Sequence, residues 1–410
     1  WEDLPLERAT LRWSDRKAEL GELEIRSVET TADPPLLCHC TFRTPGAAEN
    51  RDLVDFIATL RHPHLEIYDG RDFNEVFGFY ERVGLISPHM KRNLSPETPE
   101  TWKRLFGKGT DIGRLLIHRE GSSIDAAITA VRAWEKTWVL QHYGSLGPRG
   151  SRWAGEISNG ILEYSIPKPD SDYIFFFVVH GNRSSTFYDR FIMLTGTPEA
   201  LVKSTAYLWL LPVDAAKLEK TTDPQLRIRL IRSSDELLVS RATERCLGSL
   251  MAKAMSIQPG SFHLPDTKQR FKQAGLRRER MCKIITRRGA PVLAVFHELT
   301  SPGVNLTWKL NASWLIPIHP ELDRDGGATR LALEDIERIP ALTSTGDKYL
   351  FITQWTSRDL MFSAGCKEVY GTDALILNRA GSQRFYQYTT RRYSEAGMLA
   401  EARRKDRLDG

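Results

Sequence analysis

The sequence lacks an apolar run long enough to cross a membrane. Its longest apolar runs, YIFFFVV and AYLWLLPV, fall far short of the roughly 20 residues that a membrane-spanning helix needs. It also lacks a P-loop, a dinucleotide-binding fingerprint and a nucleophile elbow. No secretory signal is visible. We therefore expect a cytoplasmic protein without a membrane span.

Cysteine is scarce, with five in 410 residues, and the odd number of mostly isolated thiols favours a reducing compartment. Cys38-His39-Cys40 resembles a fragment of a metal site, but a closed zinc site needs about four ligands and no second cluster follows nearby. Alternation in LLCHCTF places Cys38 and Cys40 on one face of a strand. We expect a packed strand there and no metal.

Charge and composition exclude few function classes. A hydrophobic content of 41% and a charged content of 27% are those of a soluble globular protein. The net charge of +5 permits an anionic ligand such as a nucleotide or a coenzyme, and gives no strong signal for nucleic acid. The length predicts two or three domains.

Short alternating runs at ATLRW, GELEIRSVET and LLCHCTF predict a β-rich segment over residues 1–45. Helices are predicted next, one from the spacing of Leu53, Phe56, Ile57 and Leu60, and one over Asp72–Ile86 with Asp72 as its N-cap. Residues 394–410 are expected to form a basic C-terminal tail.

The rest of the sequence shows one order of elements twice, over residues 46–215 and 224–393. The first copy has strands RLLIHREG, AITAVRAW and KTWVLQHY, a loop GPRGSRWAG, an amphipathic helix, the strand YIFFFVVH and the helix SSTFYDRFIML. The second has a strand LRIRLIRS, a long helix over Asp235–Met255, strands MCKIITRRG, PVLAVFHE and ASWLIPIH, a loop PELDRDGGAT, a helix RLALEDIERI, a strand YLFITQW and a helix near SRDLMFSAG. A final strand is expected at QRFYQYTTRRY.

Spacing supports an internal duplication. The interval is 35 positions both from Trp138 to Tyr173 and from Trp314 to Tyr349. A hydroxyl residue precedes each tryptophan. The second repeat carries an insertion, LTSPGVNLTWKL, between its two central strands. We interpret the chain as α/β (α+β), with two tandem units that each contain a mixed, mostly antiparallel sheet flanked by helices.

This order of elements resembles the acyl-CoA-dependent N-acyltransferase (GNAT) superfamily. Two such units in one chain are similar to the tandem arrangement of N-myristoyltransferases, mycothiol synthases and FemABX peptidoglycan transferases. The resemblance covers roughly residues 65–215 and 224–393. It implies acyl transfer from an acyl-CoA thioester, as donor substrate, to an amine acceptor.

The superfamily carries Arg/Gln-x-x-Gly-x-Gly/Ala in the loop after its fourth strand, where backbone N–H groups and a helix N-terminus hold pyrophosphate. In RWAGEI the resemblance implies that Arg152 and Gly155 bind the coenzyme, although Ile157 replaces the last small residue. In RDGGAT it implies Arg324, Gly326 and Gly327, although Thr329 replaces the last small residue.

The same resemblance implies an acid for the departing thiolate and a base for the amine. Tyr188, on the helix after the fifth strand, matches the position of a common acid, and the second unit has no tyrosine there. Glu135 and Glu298 are candidate bases at equivalent strand ends. Three histidines are alternatives: His118, His142 and His297.

A competing hypothesis is a regulator that keeps the tandem fold without catalysis. The N-terminal segment is faintly similar to the end of a PilZ module, which implies a cyclic di-GMP ligand, a nucleotide second messenger; a protein partner is the other version. Ser27 in LEIRSVET is the residue that fits, and the paired-arginine motif of that family is not recognisable. Aminoacyl transfer from charged tRNA is a third interpretation, which requires a concentrated basic groove.

Overall fold

A computed structural model describes most of the chain from residue 62 to residue 406. Within that range it leaves out residues 63, 108–110, 166–169, 182, 196, 198–199, 213–217, 219–220, 341–342 and 344. Before residue 62 it describes the backbone of five strands. The helix predicted from Leu53 to Leu60 therefore lies outside the described residues. The chain divides into two compact units, Trp1–Glu66 and Ile67–Gly410.

The first unit is built of short antiparallel strands. These are β1 (Pro5–Leu6), β2 (Ala9–Trp13), β3 (Arg16–Leu20), β4 (Leu23–Glu29) and β5 (Leu37–Phe42). Strands β1, β4 and β5 form one sheet and β2 pairs with β3. The three predicted strand regions are confirmed, including the strand through Cys38 and Cys40. A PilZ-like character of this segment stays a prediction.

The remaining strands belong to one twelve-stranded sheet. In chain order they are β6 (Leu65–Ile67), β7 (Gly113–Glu120), β8 (Ser123–Trp134), β9 (Thr137–Ser145), β10 (Tyr173–Val179), β11 (Leu201–Leu210), β12 (Leu226–Leu230), β13 (Arg278–Arg287), β14 (Ala290–Thr300), β15 (Ser313–Pro317), β16 (Tyr349–Thr353) and β17 (Lys367–Asn378).

Helices cover both faces of this sheet. They are α1 (Phe73–Arg82), α2 (Pro88–Arg92), α3 (Thr98–Phe106), α4 (Gly147–Ser165), α5 (Arg183–Thr195), α6 (Ser233–Leu247), α7 (Ser249–Ala254), α8 (Pro265–Gln273), α9 (Gly327–Glu337), α10 (Arg358–Ser363) and α11 (Arg379–Asp406). None of these described helices combines the length and the apolar character that crossing a membrane requires.

The two repeats exchange their last strands within the sheet. The first repeat supplies β6 to β11 and the second β12 to β17, and the order across the sheet is β12-β13-β14-β15-β16-β11-β17-β10-β9-β8-β7-β6. Thus β17 pairs with β10 of the first repeat, and β11 pairs with β16 of the second. Equivalent strands occur in the same order from each end of the sheet. One buried apolar cluster includes Phe175 of the first repeat and Phe351 of the second.

This arrangement confirms the predicted fold class, two tandem units of mixed sheet flanked by helices. Both repeats lie in one compact unit, Ile67–Gly410, and the predicted domain limits stay predictions. The predicted final strand QRFYQYTTRRY is wrong, because this stretch belongs to α11. Ser382, just before this stretch, and Phe385 and Thr389 within it are buried at a helical period, and Phe385 packs on Phe191 of α5 with ring centroids 4.9 Å apart.

Two local predictions also need correction. The long helix expected over Asp235–Met255 is broken into α6 and α7 at Gly248, which has a φ of 91°. Asp72 precedes α1, but its side chain makes no capping hydrogen bond and its φ is 53°. A left-handed backbone at that position differs from the extended backbone of an ordinary N-cap.

We predict that the two repeats cannot fold apart. A chain cut between β11 and β12 should yield two fragments that are unfolded or aggregated when expressed singly, because each loses the strand that completes its sheet. Co-expression should give one complex with the circular dichroism spectrum and elution volume of the intact chain. A first fragment that unfolds cooperatively as a monomer would contradict this.

Candidate functional site

The candidate site is an opening between two parallel strands of the first repeat. Strands β9 and β10 form four parallel residue pairs, ending at Leu140 and Phe176. Beyond that point β9 continues along β8 and β10 continues along β17, so the two strands diverge. Strand β9 also bulges there, because His142 and Tyr143 together stand opposite Ile128.

The insertion of the second repeat holds one side of this opening. The backbone N–H of Leu306 donates to Nε2 of His142 at 3.0 Å. The side-chain amide of Gln141 donates to the carbonyl of Val304 at 2.9 Å, and Asn305 donates back to Gln141. The insertion therefore supplies hydrogen-bond partners to the side chains of Gln141 and His142 at the bulge.

His142 is fixed as a neutral ring. The hydroxyl of Thr129 donates to the carbonyl of Gln141 at 2.9 Å, so its oxygen accepts from Nδ1 of His142 at 3.2 Å. Nε2 accepts from Leu306. Burial lowers the pKa of His142 to about 3, and the nearby Lys309 charge contributes. With both ring nitrogens used and the charged form disfavoured, His142 has no free lone pair with which to act as a base.

Lys309 lies on one face of the opening. It is 9% exposed, and its Nζ lies 5.1 Å from the ring centroid of Phe177 and 5.4 Å from that of Tyr370. Its backbone N–H donates to Asn305 at 2.7 Å. Across the described residues, no carboxylate or hydrogen-bond acceptor contacts its Nζ. Burial lowers the pKa of Lys309 to about 8.

Tyr188 lies on the opposite face. Successive side chains of a strand point to opposite faces, so Phe176 and Phe177 mark the two sides of the opening. Helix α5 places the ring of Tyr188 5.0 Å from that of Phe176, the last residue of β10 that pairs with β9. The candidate acid predicted from the sequence thus borders the opening. Its catalytic role stays a prediction.

Glu135 lies at the other end of β9. Its carboxylate accepts from the backbone N–H groups of Asp266 and Thr267 at 3.2 and 3.0 Å, and so caps the first turn of α8. Burial raises the pKa of Glu135. The β8–β9 turn that carries it stands away from the opening. Its role as a base stays a prediction that this position does not support.

Glu298 is enclosed by cations. It is 1% exposed, lies 2.7 Å from Arg278 and 2.5 Å from Arg280, and accepts from the indole N–H of Trp134 at 3.2 Å. Burial alone would raise the pKa of Glu298, but the two guanidinium groups outweigh it and hold the pKa below its usual range. A carboxylate held ionised in this way is a weak base, so the contacts indicate a structural ion pair.

The other two histidines lie elsewhere. His297 is buried between the hydroxyl of Ser313 and a carboxylate oxygen of Asp335, each 2.9 Å from a ring nitrogen. His118 is buried and stacks on Trp153 with ring centroids 3.8 Å apart. The structure thus brings only His142 of the three to the opening. A role for His118 or His297 as the base that deprotonates the amine stays a prediction.

The first predicted phosphate loop is helical. Helix α4 begins at Gly147, two positions after β9 ends, so Arg152 and Gly155 lie inside a helix rather than in a loop. Pro148 is compatible with this start because the first turn of a helix needs no N–H donor from it. The coenzyme-binding role of Arg152 and Gly155 stays a prediction, and the Arg152 side chain lies outside the described residues.

The second predicted phosphate loop is already occupied by carboxylates of the chain. Asp323 accepts from the backbone N–H groups of Ala328 and Thr329 at 2.7 and 3.1 Å, and Asp325 accepts from that of Gly327 at 3.1 Å. These amides form the first turn of α9, the place where an anion would bind. A pyrophosphate would have to displace two negative groups. The loop in this conformation does not fit it.

The remaining residues of that loop have structural contacts. Gly326 has a φ of 72°, and a Cβ on it would overlap the side chain of Leu360. Arg287 donates to both carboxylate oxygens of Asp325 at 2.7 Å and thereby lowers its pKa. Arg324 is exposed at the end of a 3₁₀ turn. Coenzyme binding by Arg324, Gly326 and Gly327 stays a prediction without support from these contacts.

Sequence reasoning missed Lys309 and the partners of His142. The available signal was a lysine between apolar residues in the insertion, in the stretch LTWKL. A lysine with such neighbours is mostly exposed in proteins, with only its stem packed. The ring contacts of this one join it to Phe177 and Tyr370, which are distant in the sequence.

We predict that Gly303 is required to seat the insertion. It has a φ of 86°, its carbonyl accepts from Trp102 at 2.8 Å, and an added Cβ would lie 2.9 Å from Cβ of Thr98. Gly303→Ala should destabilise the protein by left-handed backbone strain of about 1–2 kcal/mol and overpacking of about 1–3 kcal/mol. Urea-induced unfolding measures the loss.

Gly289→Ala is the matched control for this change. Gly289 has a φ of 83°, and a Cβ added there meets no atom within 4 Å. It should therefore show the backbone strain alone. Equal losses for the two variants would mean that Thr98 does not constrain the insertion.

Comparisons with known proteins give remote structural similarity. No protein-family model and no curated protein matches the sequence. A solved structure from Drosophila is 14% identical with a TM-score of 0.43, and covers 77% of this chain and 98% of that one. A GCN5-related N-acetyltransferase from Sphaerobacter thermophilus is 10% identical with a TM-score of 0.41, and the match covers 77% of this chain and 96% of that one. A tandem GNAT protein from the clavulanic acid biosynthesis pathway is 11% identical with a TM-score of 0.39, and the match covers 77% of this chain and 98% of that one. At these values no residue role transfers to this chain.

Proposed function

We propose that the chain transfers an acyl group from an acyl-CoA thioester to an amine, and that the first repeat carries the reaction. The observation that supports this most is the opening where β9 bulges and leaves β10. A narrow thioester chain can pass between two strands only where their backbone hydrogen bonding is interrupted. The resemblance of the element order to the GNAT superfamily agrees with this use of the opening.

The groups on the two faces suit the two halves of the reaction. Attack of an amine on the thioester carbonyl breaks the C–S bond and leaves a thiolate, which an acid must protonate. Tyr188 borders the face of Phe176 and is our proposed acid. The amine would approach on the face of Phe177, where the ring of His142 stays neutral and the buried Lys309 lies.

The second repeat is proposed to be a structural partner without a coenzyme of its own. Its strand β15 pairs with β14 without a shift of register, and the amides that would bind pyrophosphate are capped by Asp323 and Asp325. This keeps part of the regulator hypothesis, since one of the two units would be catalytically silent. Binding of cyclic di-GMP or a protein partner has no described contact in its favour.

Isothermal titration calorimetry with acetyl-CoA and with a long-chain acyl-CoA tests the assignment. We expect one molecule bound per chain, because among the described strands the bulge at such an opening lies in β9 of the first repeat, while β15 pairs with β14 without a shift of register. Absence of heat with both compounds would contradict acyl-CoA binding. Two molecules per chain would contradict the silent second repeat, and a heat signal with cyclic di-GMP alone would favour the regulator.

A tyrosine substitution tests the proposed acid. Tyr188→Phe should lower the release of free thiol, in the presence of a panel of primary amines, by about 100-fold, the lower range for loss of a general acid. Its affinity for acyl-CoA should not change. Tyr386→Phe is the control, because that hydroxyl donates to Glu163 on α4 and lies on another helix. Equal rates for Tyr188→Phe and the unchanged chain would remove Tyr188 from the reaction.

A further inference from the structure

Lys309 has the properties of a nucleophilic amine. Nucleophilic lysines in proteins are activated by burial without a compensating carboxylate, which favours the neutral amine. Its Nζ lies among the rings of Phe177 and Tyr370, and the described residues place no anion beside it. At pH 8 about half of such amines are neutral, against under about one in a hundred for an exposed lysine.

The described residues around Lys309 place no ionised side chain against its Nζ. The titratable groups that face it are His142 on β9 and Tyr370 on β17. His142 is neutral because its pKa lies near 3, and burial raises the pKa of Tyr370, so the phenol is also neutral near pH 8. Among the described residues, no neighbouring anion therefore favours the charged form of the amine, which lies next to the opening between β9 and β10.

The position of Lys309 in the chain also explains why its amine lies beside the opening of the first repeat. Lys309 lies near the end of the insertion, which is anchored to β9 through Gln141 and His142. The anchoring carries a residue of the second repeat to the reactive face of the first. A thioester carbonyl that entered from the face of Tyr188 would meet this amine on the face of Phe177.

We propose that Lys309 is an acylation site of the chain itself, modified by the thioester that the first repeat binds; this rests on the proposed function. The neutral Nζ attacks the thioester carbonyl carbon, an N–C bond forms and the C–S bond breaks. The electron pair of that bond leaves with sulfur, and the amine proton passes to the thiolate. The products are one acyl-lysine amide and one free thiol. The amide is stable, so the modification fills the opening and slows later turnover.

The first experiment measures the amine without any coenzyme. Competitive labelling of the intact protein with limiting acetic anhydride, followed by peptide mass spectrometry, gives the pH at which each lysine becomes reactive. Lys309 should reach half of its maximal reactivity near pH 8. Lys91, which is exposed and paired with Glu81, serves as the reference. A pH profile of Lys309 that follows that of Lys91 overturns the proposal. The experiment uses the unchanged protein, so it does not depend on a variant that could fail to fold.

The second experiment uses acetyl-CoA. Incubation followed by intact mass spectrometry should show the gain of one acetyl group, mapped to Lys309, with release of an equal amount of thiol. Lys309→Arg should abolish this gain, and Lys91→Arg should leave it unchanged. Acetyl-CoA that binds in calorimetry without acetylating Lys309 overturns this inference and leaves the proposed function standing. Absence of binding overturns both.

Discussion

Each half of the large sheet is completed by the last strand of the other half. Strand β17 lies between β10 and β11, and β11 lies between β17 and β16, so neither repeat has a closed set of backbone hydrogen bonds alone. An unpaired edge strand exposes a row of N–H and C=O groups and is prone to aggregate. This constraint makes the two repeats one folding unit. It also fixes the second repeat beside the first, and so allows an insertion in one to line the opening of the other.

Two of the buried charged side chains at this sheet, Glu298 and Lys309, differ in a way that bears on function. Glu298 is surrounded by Arg278 and Arg280 and reaches Trp134 of the first repeat, so its charge is compensated at the junction. Such a group adds little net stability but is costly to break, which suits a contact that fixes alignment. Lys309 has no counter-charge among the residues that the structure describes. An uncompensated buried amine costs folding free energy, and groups of this kind concentrate at functional sites.

Much of the fold was predictable because alternation and helical spacing are local. The repeat was recognised from such patterns, yet equal spacing did not mean equal register, since Thr137 pairs with Tyr173 and Ser313 pairs with Leu350. The exchange of β11 and β17 could not be predicted from local sequence, because the alternation that predicts a strand does not indicate which other strand it pairs with. The use of the second candidate loop could not be read from the sequence for a physical reason. A glycine before a helix serves a phosphate, a tight turn or close packing equally well, and the contacts of Asp323 and Leu360 are visible only in the fold.

The two copies of the fold differ most where an opening requires strain. In the first repeat, His142 adopts a left-handed backbone with a φ of 51°, which is unfavourable for a residue with a Cβ, and the bulge removes polar groups from the ladder. The Thr129 hydroxyl donates to the backbone carbonyl of Gln141, and Thr129 and the insertion hold the His142 ring through its two nitrogens. In the second repeat β15 keeps regular pairing, and the helix N-terminus is saturated by its own carboxylates. A strained strand persists only where its surroundings over-determine it. The insertion therefore serves the first repeat, although the second repeat encodes it.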